Sequence, residues 1–258
     1  MAFRGPFNIV TLRLQSVQPV NQDTKRFRFA LPDPNAYPGL TLTSSLLTVH
    51  RPAWSLFPVF RPYTPVNSFD EPGYIDFIVK RYPNGRASGH LHSLQPGDKL
   101  TVLGPLPGYR WKTNEAHQIN LIAGGVGITP MFQLIQGILN NAEEKTKIKL
   151  LFGANTDADL VLRDELNAFQ ARFPDRFQVA YSVLRPAEGS PHRKGYITKE
   201  LLEKELVMPT NEKWRVFVCG PPGMETSLLG TRGWFGLFGR RKGILEELGI
   251  PRDRIYKF

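Results

Sequence analysis

The sequence predicts two domains, an N-terminal antiparallel β-barrel followed by a C-terminal α/β domain built on a parallel sheet. A length of 258 residues suits two domains of medium size. Residues 9–110 contain short β-like segments separated by Pro and Gly, which is typical of a barrel or sandwich. Beyond residue 118, apolar runs alternate with helix-like segments, which favours a Rossmann-like parallel sheet. The polar stretch 111–118 separates the two patterns, so we predict domains at residues 1–113 and 114–258.

The N-terminal domain is predicted from four β-like segments, at residues 9–17, 25–30, 73–80 and 99–103. Residues 25–29, Lys-Arg-Phe-Arg-Phe, alternate polar and apolar side chains, as a half-buried strand does. Pro96-Gly97-Asp98 marks a turn before the last of these segments.

The C-terminal domain begins with the apolar strand at 119–123, which ends in a glycine-rich turn. The elements predicted after that turn are a helix at 130–141, a strand at 147–153, a helix at 159–172, a strand at 177–183, a helix at 197–206, a strand at 215–219, a short helix at 244–248 and a β-like C-terminal tail. This order is typical of a parallel sheet covered on both faces.

Composition limits the classes of function. Lys and Arg number 33 against 23 Asp and Glu, so the net charge is +10, which attracts an acidic protein, an anionic membrane or a nucleic acid. The single cysteine, Cys219, excludes an internal disulfide, an iron–sulfur cluster and a structural zinc site, so redox chemistry would need an organic cofactor and no metal. No apolar run reaches the ~18 residues of a membrane span, and no signal peptide is evident. The chain as given is expected to be soluble, and the sequence does not show whether an anchor preceded Met1.

Two turns of the C-terminal domain are candidate dinucleotide contacts. Gly124-Gly125-Val126-Gly127 joins a strand to a helix whose first N–H groups can bind a pyrophosphate, although its spacing is not G-x-G-x-x-G. Thr129 adds a hydroxyl at the start of that helix. Cys219-Gly220-Pro221-Pro222-Gly223 ends another strand and is expected to face the same cleft. The alternatives are an ordinary tight turn and a buried core cysteine, and nucleophilic catalysis by Cys219 is not expected.

Two segments of the N-terminal domain are candidate phosphate and ring contacts. Arg61-Pro62-Tyr63-Thr64 offers a cation, a flat ring and a hydroxyl, and in an extended strand alternate side chains share one face. Gly85-Arg86-Ala87-Ser88 is a cationic turn that can open a short helix and bind phosphate. A strand-edge turn and a solvated loop are the alternatives.

The segment 229–243 places Trp234, Phe235, Leu237 and Phe238 among glycines and basic residues. This segment could contact a partner or a membrane. We favour the alternative, in which an insertion packs its aromatic side chains against the protein.

Together these motifs resemble the ferredoxin–NADP reductase-like superfamily and, over nearly the whole chain, the fungal mitochondrial-type branch of the NADH–cytochrome b5 reductase family. The stretches that carry the resemblance are DTKRFRFALPDPN at 23–35, RPYTPV at 61–66, LIAGGVGITPM at 121–131, ANTDADLVLRDEL at 154–166, VFVCGPPGM at 216–224 and the terminal YKF.

The resemblance implies an FAD-binding barrel in which Arg61-Pro62-Tyr63-Thr64 holds the flavin. Arg61 would bind FAD phosphate, Tyr63 would lie along the isoalloxazine, and Thr64 would hydrogen-bond its reactive edge. Val79 would meet the flavin through its backbone. The turn that would hold the FAD pyrophosphate consists of Gly85, Arg86, Ala87 and Ser88.

The resemblance also implies an NADH-binding α/β domain. Thr129 would lie near the junction of flavin and nicotinamide, Lys80 would contact NADH, and Asp159 would favour NADH over NADPH by repelling a 2′-phosphate. Thr64, Thr129 and Cys219 would thus stand closest to the reaction. The remaining dinucleotide contacts would be Gly124, Gly125, Gly220, Pro221 and Met224.

Some residues depart from the family pattern. The pyrophosphate turn often reads Gly-Lys-Met-Ser, and Arg86 keeps its charge here, whereas Val126 replaces a common Thr. Residues 50–60, which precede the RPYTP motif, are also unusual.

The implied activity is hydride transfer from NADH to FAD, followed by single-electron transfer to cytochrome b5 or a similar acidic haem protein. The alternatives are a reductase serving another acceptor such as an oxygenase, a basic nucleic-acid-binding protein, and a non-catalytic flavin-binding scaffold; we do not expect nucleic acid as a partner. The resemblance suggests the mitochondrial outer membrane or intermembrane space, or alternatively the endoplasmic reticulum, with any membrane association made through an anchor absent from this chain.

Overall fold

A computed structural model of the chain describes residues 1–3, 5, 8–52, 55–210, 212–231 and 241–258. The chain divides into two compact units, one made of Met1–Trp111 with Phe132–Gly137, the other of Lys112–Met131 with Ile138–Phe258. In the described ranges, every helix is too short or too polar to cross a lipid bilayer.

The first unit is built on a six-stranded antiparallel sheet, as predicted, with the strand order β4-β3-β6-β1-β2-β5. One helix, α1 (Arg86–Ser93), follows the fifth strand. The strands are β1 (Asn8–Pro19), β2 (Thr24–Ala30), β3 (Ser45–His50), β4 (Val59–Tyr63), β5 (Tyr74–Lys80) and β6 (Lys99–Leu106). We had not predicted β3, and β4 contains Pro62, which is tolerated because β4 is an edge strand.

The core of this unit follows from the alternation along β2. Phe27 and Phe29 are fully buried on one face, and the Phe29 ring meets the edge of Phe77 at 5.9 Å between centroids. On the other face, Arg26 and Arg28 hold the buried carboxylate of Asp76, each at 2.8 Å. The sheet therefore has one apolar face and one face with charged residues.

The second unit contains the predicted parallel sheet, with the order β10-β9-β8-β7-β11-β12. Its strands are β7 (Gln118–Gly124), β8 (Lys147–Ala154), β9 (Phe177–Val183), β10 (Arg193–Lys194), β11 (Trp214–Cys219) and β12 (Ile255–Lys257). Its helices are α2 (Ile128–Asn140), α3 (Arg163–Arg172), α4 (Lys199–Glu205), α5 (Pro222–Leu229) and α6 (Ile244–Glu247). Strand β7 is buried at every position, as its apolar sequence predicts for a central strand.

The start of α3 differs from the prediction. A helix beginning at Asp159 is wrong, because residues Asp157–Asp159 form a 3-10 turn and Leu162 has a φ of +62°. A left-handed leucine ends the helical path, so α3 begins only at Arg163. Of the aromatic and basic segment 229–243, residues 232–240 lie outside the described residues, and Thr231 and Arg241 form an isolated antiparallel bridge.

Candidate functional site

Strand β4 brings two of the predicted FAD ligands together. Arg61 lies opposite Thr48 and Tyr63 opposite Leu46, so both side chains lie on the face that carries the core. Thr48 Oγ1 donates to the Arg61 carbonyl at 3.1 Å, which fixes the strand. Pro62 pairs with Leu47 and lies on the opposite face, so the structure does not group its side chain with the other two.

Arg61 and Tyr63 differ in environment. The Arg61 side chain is exposed, and its Nη1 donates to the Phe60 carbonyl at 3.3 Å. Tyr63 packs against the core beside Phe77, and burial raises the pKa of its phenol to about 12, with Arg61 opposing that shift. The site therefore offers an exposed cation beside a neutral aromatic ring, followed by the half-buried Thr64.

The turn from Gly85 to Ser88 opens helix α1. Ser88 Oγ accepts from the Tyr82 N–H and donates to the Gly85 carbonyl, each at 3.2 Å. A Cβ on Gly85 would lie 2.4 Å from Ser88 Oγ, so the turn requires glycine. Among the described residues, no side chain caps the N-terminus of α1, so its first N–H groups are not used by a side-chain cap. Ala87 and Ser88 are buried, and Arg86 is exposed.

A cavity of about 1000 Å³ lies beside this turn, with Arg81, Asn84 and Arg86 in its lining. Its wall also contains His50 and His90, whose rings stack face to face at 3.4 Å. Burial lowers the pKa of both imidazoles, and for His90 the neighbouring His50 adds to the effect. Sequence reasoning missed this pair because the two residues are 40 positions apart.

Val79 and Lys80, the last two residues of β5, each contact another side chain of the first unit. The Val79 side chain is buried in the core, and His92 Nε2 donates to its carbonyl at 2.9 Å. The Lys80 ammonium forms an ion pair with Asp23 at 3.0 Å. A contact from Lys80 to NADH therefore stays a prediction, and it would compete with or extend this ion pair.

In the second unit, the two predicted dinucleotide turns lie against each other. Strands β7 and β11 are neighbours, with Ala123 opposite Cys219, so both turns leave the same edge of the sheet. A Cβ on Gly127 would lie 2.3 Å from the Cys219 carbonyl oxygen, and one on Gly124 would lie 2.7 Å from the sulfur of Met224. Both turns thus lie at one end of the sheet, as a shared cleft would require, and their contact depends on glycine.

The open side of the glycine turn is at Gly125. Its φ is +53°, and a Cβ there would meet nothing within 4 Å. Thr129, at the start of α2, is buried and its Oγ1 donates to the Val126 carbonyl at 3.2 Å. The hydroxyl therefore closes the turn, while the backbone on the open side stays accessible to a ligand.

Cys219 is a neutral thiol. Burial raises its pKa to about 12, Glu225 adds to the effect, and Lys257 opposes it. Glu225 accepts a hydrogen bond from the Gly220 N–H at 3.4 Å and pairs with Lys257 at 2.6 Å. A thiol with this pKa has almost no thiolate near neutral pH, which agrees with the expectation that Cys219 is not a nucleophile. Sequence reasoning did not single out Glu225.

Asp159 follows β8, the strand beside β7, at the same edge of the sheet. One of its carboxylate oxygens, Oδ2, accepts from the Thr156 N–H at 3.1 Å and from Thr156 Oγ1 at 2.7 Å. The negative charge is thus held in a fixed position next to the strand that bears the glycine turn.

Comparisons with known proteins agree with this division. Residues 11–111 match the family described as oxidoreductase FAD-binding domain, and residues 121–229 match the oxidoreductase NAD-binding domain. The fold and the two sets of turns therefore define an oxidoreductase with a flavin-binding and a nicotinamide-binding unit.

Relatives identify the family within this class. NADH-cytochrome b5 reductase 2 of Emericella nidulans is 45% identical over 249 residues, which cover 96% of this chain and 77% of that protein. The protein of the same name from Aspergillus oryzae is 44% identical over the same shares. The chain belongs to the NADH–cytochrome b5 reductase family.

Solved structures agree on the fold. The cytochrome b5 reductase domain of Ulva prolifera nitrate reductase superposes with a TM-score of 0.83 at 28% identity, covering 98% of this chain and all of that domain. The CS-b5R domains of human Ncb5or reach 0.80 at 24% identity, covering 98% of this chain and 70% of that one.

Proposed function

We propose that this protein is an FAD-dependent oxidoreductase that takes hydride from NADH and passes single electrons to cytochrome b5. The observation that carries the proposal is the 45% identity, across 96% of the chain, to a relative named NADH-cytochrome b5 reductase 2. The residues of each unit are consistent with the cofactor that its family match names.

The first unit fits FAD. Gly85 lets the turn before α1 close tightly on Ser88, where a Cβ would collide, and the first N–H groups of α1 are suited to a phosphate. Arg61 and Arg86 supply exposed guanidinium groups for the pyrophosphate, and each can bind phosphate oxygens through two parallel N–H groups. Tyr63 provides a neutral ring held by the core, against which a planar ring system can stack.

FAD supplies chemistry that no side chain of this protein has, since it accepts two electrons as a hydride and releases them one at a time. The protein therefore contributes binding, orientation and electrostatics. We propose that Thr64 and the edge of β5 at Val79 position the flavin ring through hydrogen bonds.

The second unit fits NADH. The N–H groups at Gly125 and at the start of α2 are suited to the pyrophosphate, and Gly125 leaves open space beside them. We propose that Cys219, Gly220, Pro221 and Met224 border the nicotinamide. The neutral thiol of Cys219 adds no charge where a hydride is transferred, so it fixes the position of the ring without competing for the electron pair.

Preference for NADH over NADPH is assigned to Asp159. Its carboxylate is fixed by Thr156 at the end of the strand beside the glycine turn. A fixed negative charge there repels the 2′-phosphate of NADPH, whereas NADH carries a hydroxyl at that position.

Cytochrome b5 is the proposed acceptor. The net charge of +10 steers an acidic haem protein towards the surface, and such steering raises the association rate more than the affinity. We further propose the mitochondrial outer membrane or intermembrane space, or alternatively the endoplasmic reticulum, as its location, which fractionation of cells that express the protein would test.

A visible spectrum recorded before and after NADH tests the proposal. We expect the purified protein to show a flavin spectrum that bleaches under anaerobic conditions within one turnover of NADH, and then to reduce cytochrome b5. A flavin that does not bleach would support a scaffold without catalysis. Bleaching without cytochrome b5 reduction would point to another acceptor.

A further inference from the structure

The outer face of the sheet in the first unit has an apolar row that the proposed cofactor sites do not use. Strand pairing places Pro62, Leu47, Leu103 and Ile9 side by side across four strands, on the face away from the core. Ile9 is 74% exposed, and Leu47 and Leu103 are half-exposed. Apolar side chains in register across four strands form a continuous patch rather than scattered surface residues.

The loop between β3 and β4 extends this patch. Leu56 is 87% exposed and Phe57 is 77% exposed, and Phe60 pairs with Val49 on the outer face just beyond the loop. The loop tip is ordered by Ser55, whose Oγ accepts from the Phe57 N–H at 3.2 Å and donates to the Phe57 carbonyl at 2.9 Å. Two adjacent large apolar side chains are therefore held in solvent by a defined turn.

The strands of this face carry cations and no acidic side chain, although the exposed Asp98 directly precedes Lys99. Strands β1, β3, β4 and β6 contain no Asp or Glu. The sequence from 34 to 69, which includes the loop, also has none. Arg13 and Lys99 pair on the same outer face, roughly 13 Å along the strands from Ile9 and Leu103, and Arg51 begins the loop. The other half of the sheet differs, because Arg26 and Arg28 share the buried carboxylate of Asp76.

We propose that this basic face, meaning the outer face of β1, β3, β4 and β6 with the loop residues 51–52 and 55–58, docks on an anionic phospholipid surface. Leu56 and Phe57 enter the boundary between headgroups and acyl chains, and Phe60 and Ile9 rest against it. Arg13, Lys99 and Arg51 contact the lipid phosphates. Exposed apolar side chains beside strands that carry arginine and lysine and no acidic residue match the headgroup boundary of an anionic bilayer.

Vesicle flotation of the FAD-loaded protein tests this proposal. We expect the protein to float with phosphatidylcholine vesicles that contain phosphatidylserine, and to float roughly tenfold less with phosphatidylcholine alone. The double substitution Leu56→Ser/Phe57→Ser should lower binding by roughly tenfold or more. The matched control is Tyr196→Ser/Met208→Ser, which removes one exposed aromatic and one exposed aliphatic side chain from the second unit and should bind as the parent does.

A second pair of variants tests whether the cations of this face contribute to vesicle binding. Arg13→Gln/Lys99→Gln should weaken binding to phosphatidylserine vesicles by roughly tenfold. Lys145→Gln/Lys204→Gln removes the same net charge from exposed positions of the second unit and should leave binding unchanged.

Any of three results would overturn the proposal. The parental protein fails to float, or it floats equally with both vesicle types, or the Leu56→Ser/Phe57→Ser variant binds vesicles as the parent does. A concentration-dependent dimer that the same variant abolishes, without any flotation, would assign the face to a second copy of the chain. All variants should retain flavin and its bleaching by NADH, so the outcome is independent of the proposed redox activity.

Discussion

Replacing Gly127 by alanine is the sharpest test of the proposed nicotinamide-binding end of the sheet. Gly127 has φ −62° and ψ −7°, which alanine adopts without strain. The effect of the substitution must therefore come from space alone. The added Cβ would lie 2.3 Å from the carbonyl oxygen of Cys219 and 2.6 Å from its carbonyl carbon.

These distances set the expected magnitude. Ordinary contact begins near 3.4 Å, so the glycine turn and the end of β11 must move apart by about 1 Å. Both contacting atoms belong to the backbone and cannot rotate away. Overpacking of this kind costs about 1–3 kcal/mol of unfolding free energy, which lowers the melting temperature by roughly 2–12 °C for a protein of this size. A displacement of about 1 Å at a reacting centre also slows the chemistry by up to ~100-fold.

The assays are thermal unfolding of the FAD-loaded protein and stopped-flow reduction of the flavin by NADH. Gly223→Ala is the matched control, because a Cβ at this position within α5 would meet nothing within 4 Å. We expect that control to be neutral or stabilising by up to ~1 kcal/mol, since alanine favours a helix over glycine. If Gly127→Ala melts like the control and reduces flavin like the parent, the contact between the two turns does not hold the site together.

The other substitutions test single proposed roles. Arg61→Ala should weaken FAD retention by about 1.5–3 kcal/mol, because a charge-assisted phosphate contact is lost, and equilibrium dialysis would disprove the role if retention is unchanged. Asp159→Ala should narrow the NADH preference in flavin reduction, and a parental preference for NADPH would contradict its assignment. Cys219→Ser should retain FAD but slow flavin reduction, and unchanged single-turnover kinetics would leave Cys219 a packing residue. In the parent, the rate of flavin reduction should not change below pH 9 through ionisation of this thiol, because its pKa in the folded protein is about 12. Reduction of cytochrome b5 should slow as salt rises while flavin reduction by NADH does not, and a b5 step independent of salt would favour another acceptor.

The sequence predicted most elements because their patterns are local. Strand β2 alternates Phe27 and Phe29 with charged residues, and β7 is a continuous apolar run, so both follow from periodicity. The start of α3 did not follow, because Leu162 takes a left-handed conformation that leucine rarely adopts. No local pattern marks such a residue.

Side-chain partners far apart in sequence could not be predicted. Arg28 on β2 pairs with Asp76 on the neighbouring strand β5. Lys80 at the end of β5 pairs with Asp23, in the turn that precedes β2. A single sequence shows that these residues are charged, but not which charges meet. For Lys80 the partner matters, because breaking its ion pair with Asp23 would offset part of the free energy gained if Lys80 bound NADH.

The polar side chains of the motifs share one structural property that the residue types alone do not reveal. Ser88 Oγ, Thr129 Oγ1 and Asp159 Oδ2 each hydrogen-bond within four residues in the chain or to the turn they belong to. Their direct contribution is to hold a turn in shape, and near Thr129 the open side at Gly125 keeps the backbone accessible. We therefore expect the phosphate groups of both cofactors to be bound mainly by backbone N–H groups and by Arg61 and Arg86. Ser88 and Thr129 would act through turn geometry, and Asp159 would add its fixed charge against a 2′-phosphate. It follows that substituting Thr129 should change the rate of flavin reduction through the position of α2, whereas substituting Arg61 should change binding directly.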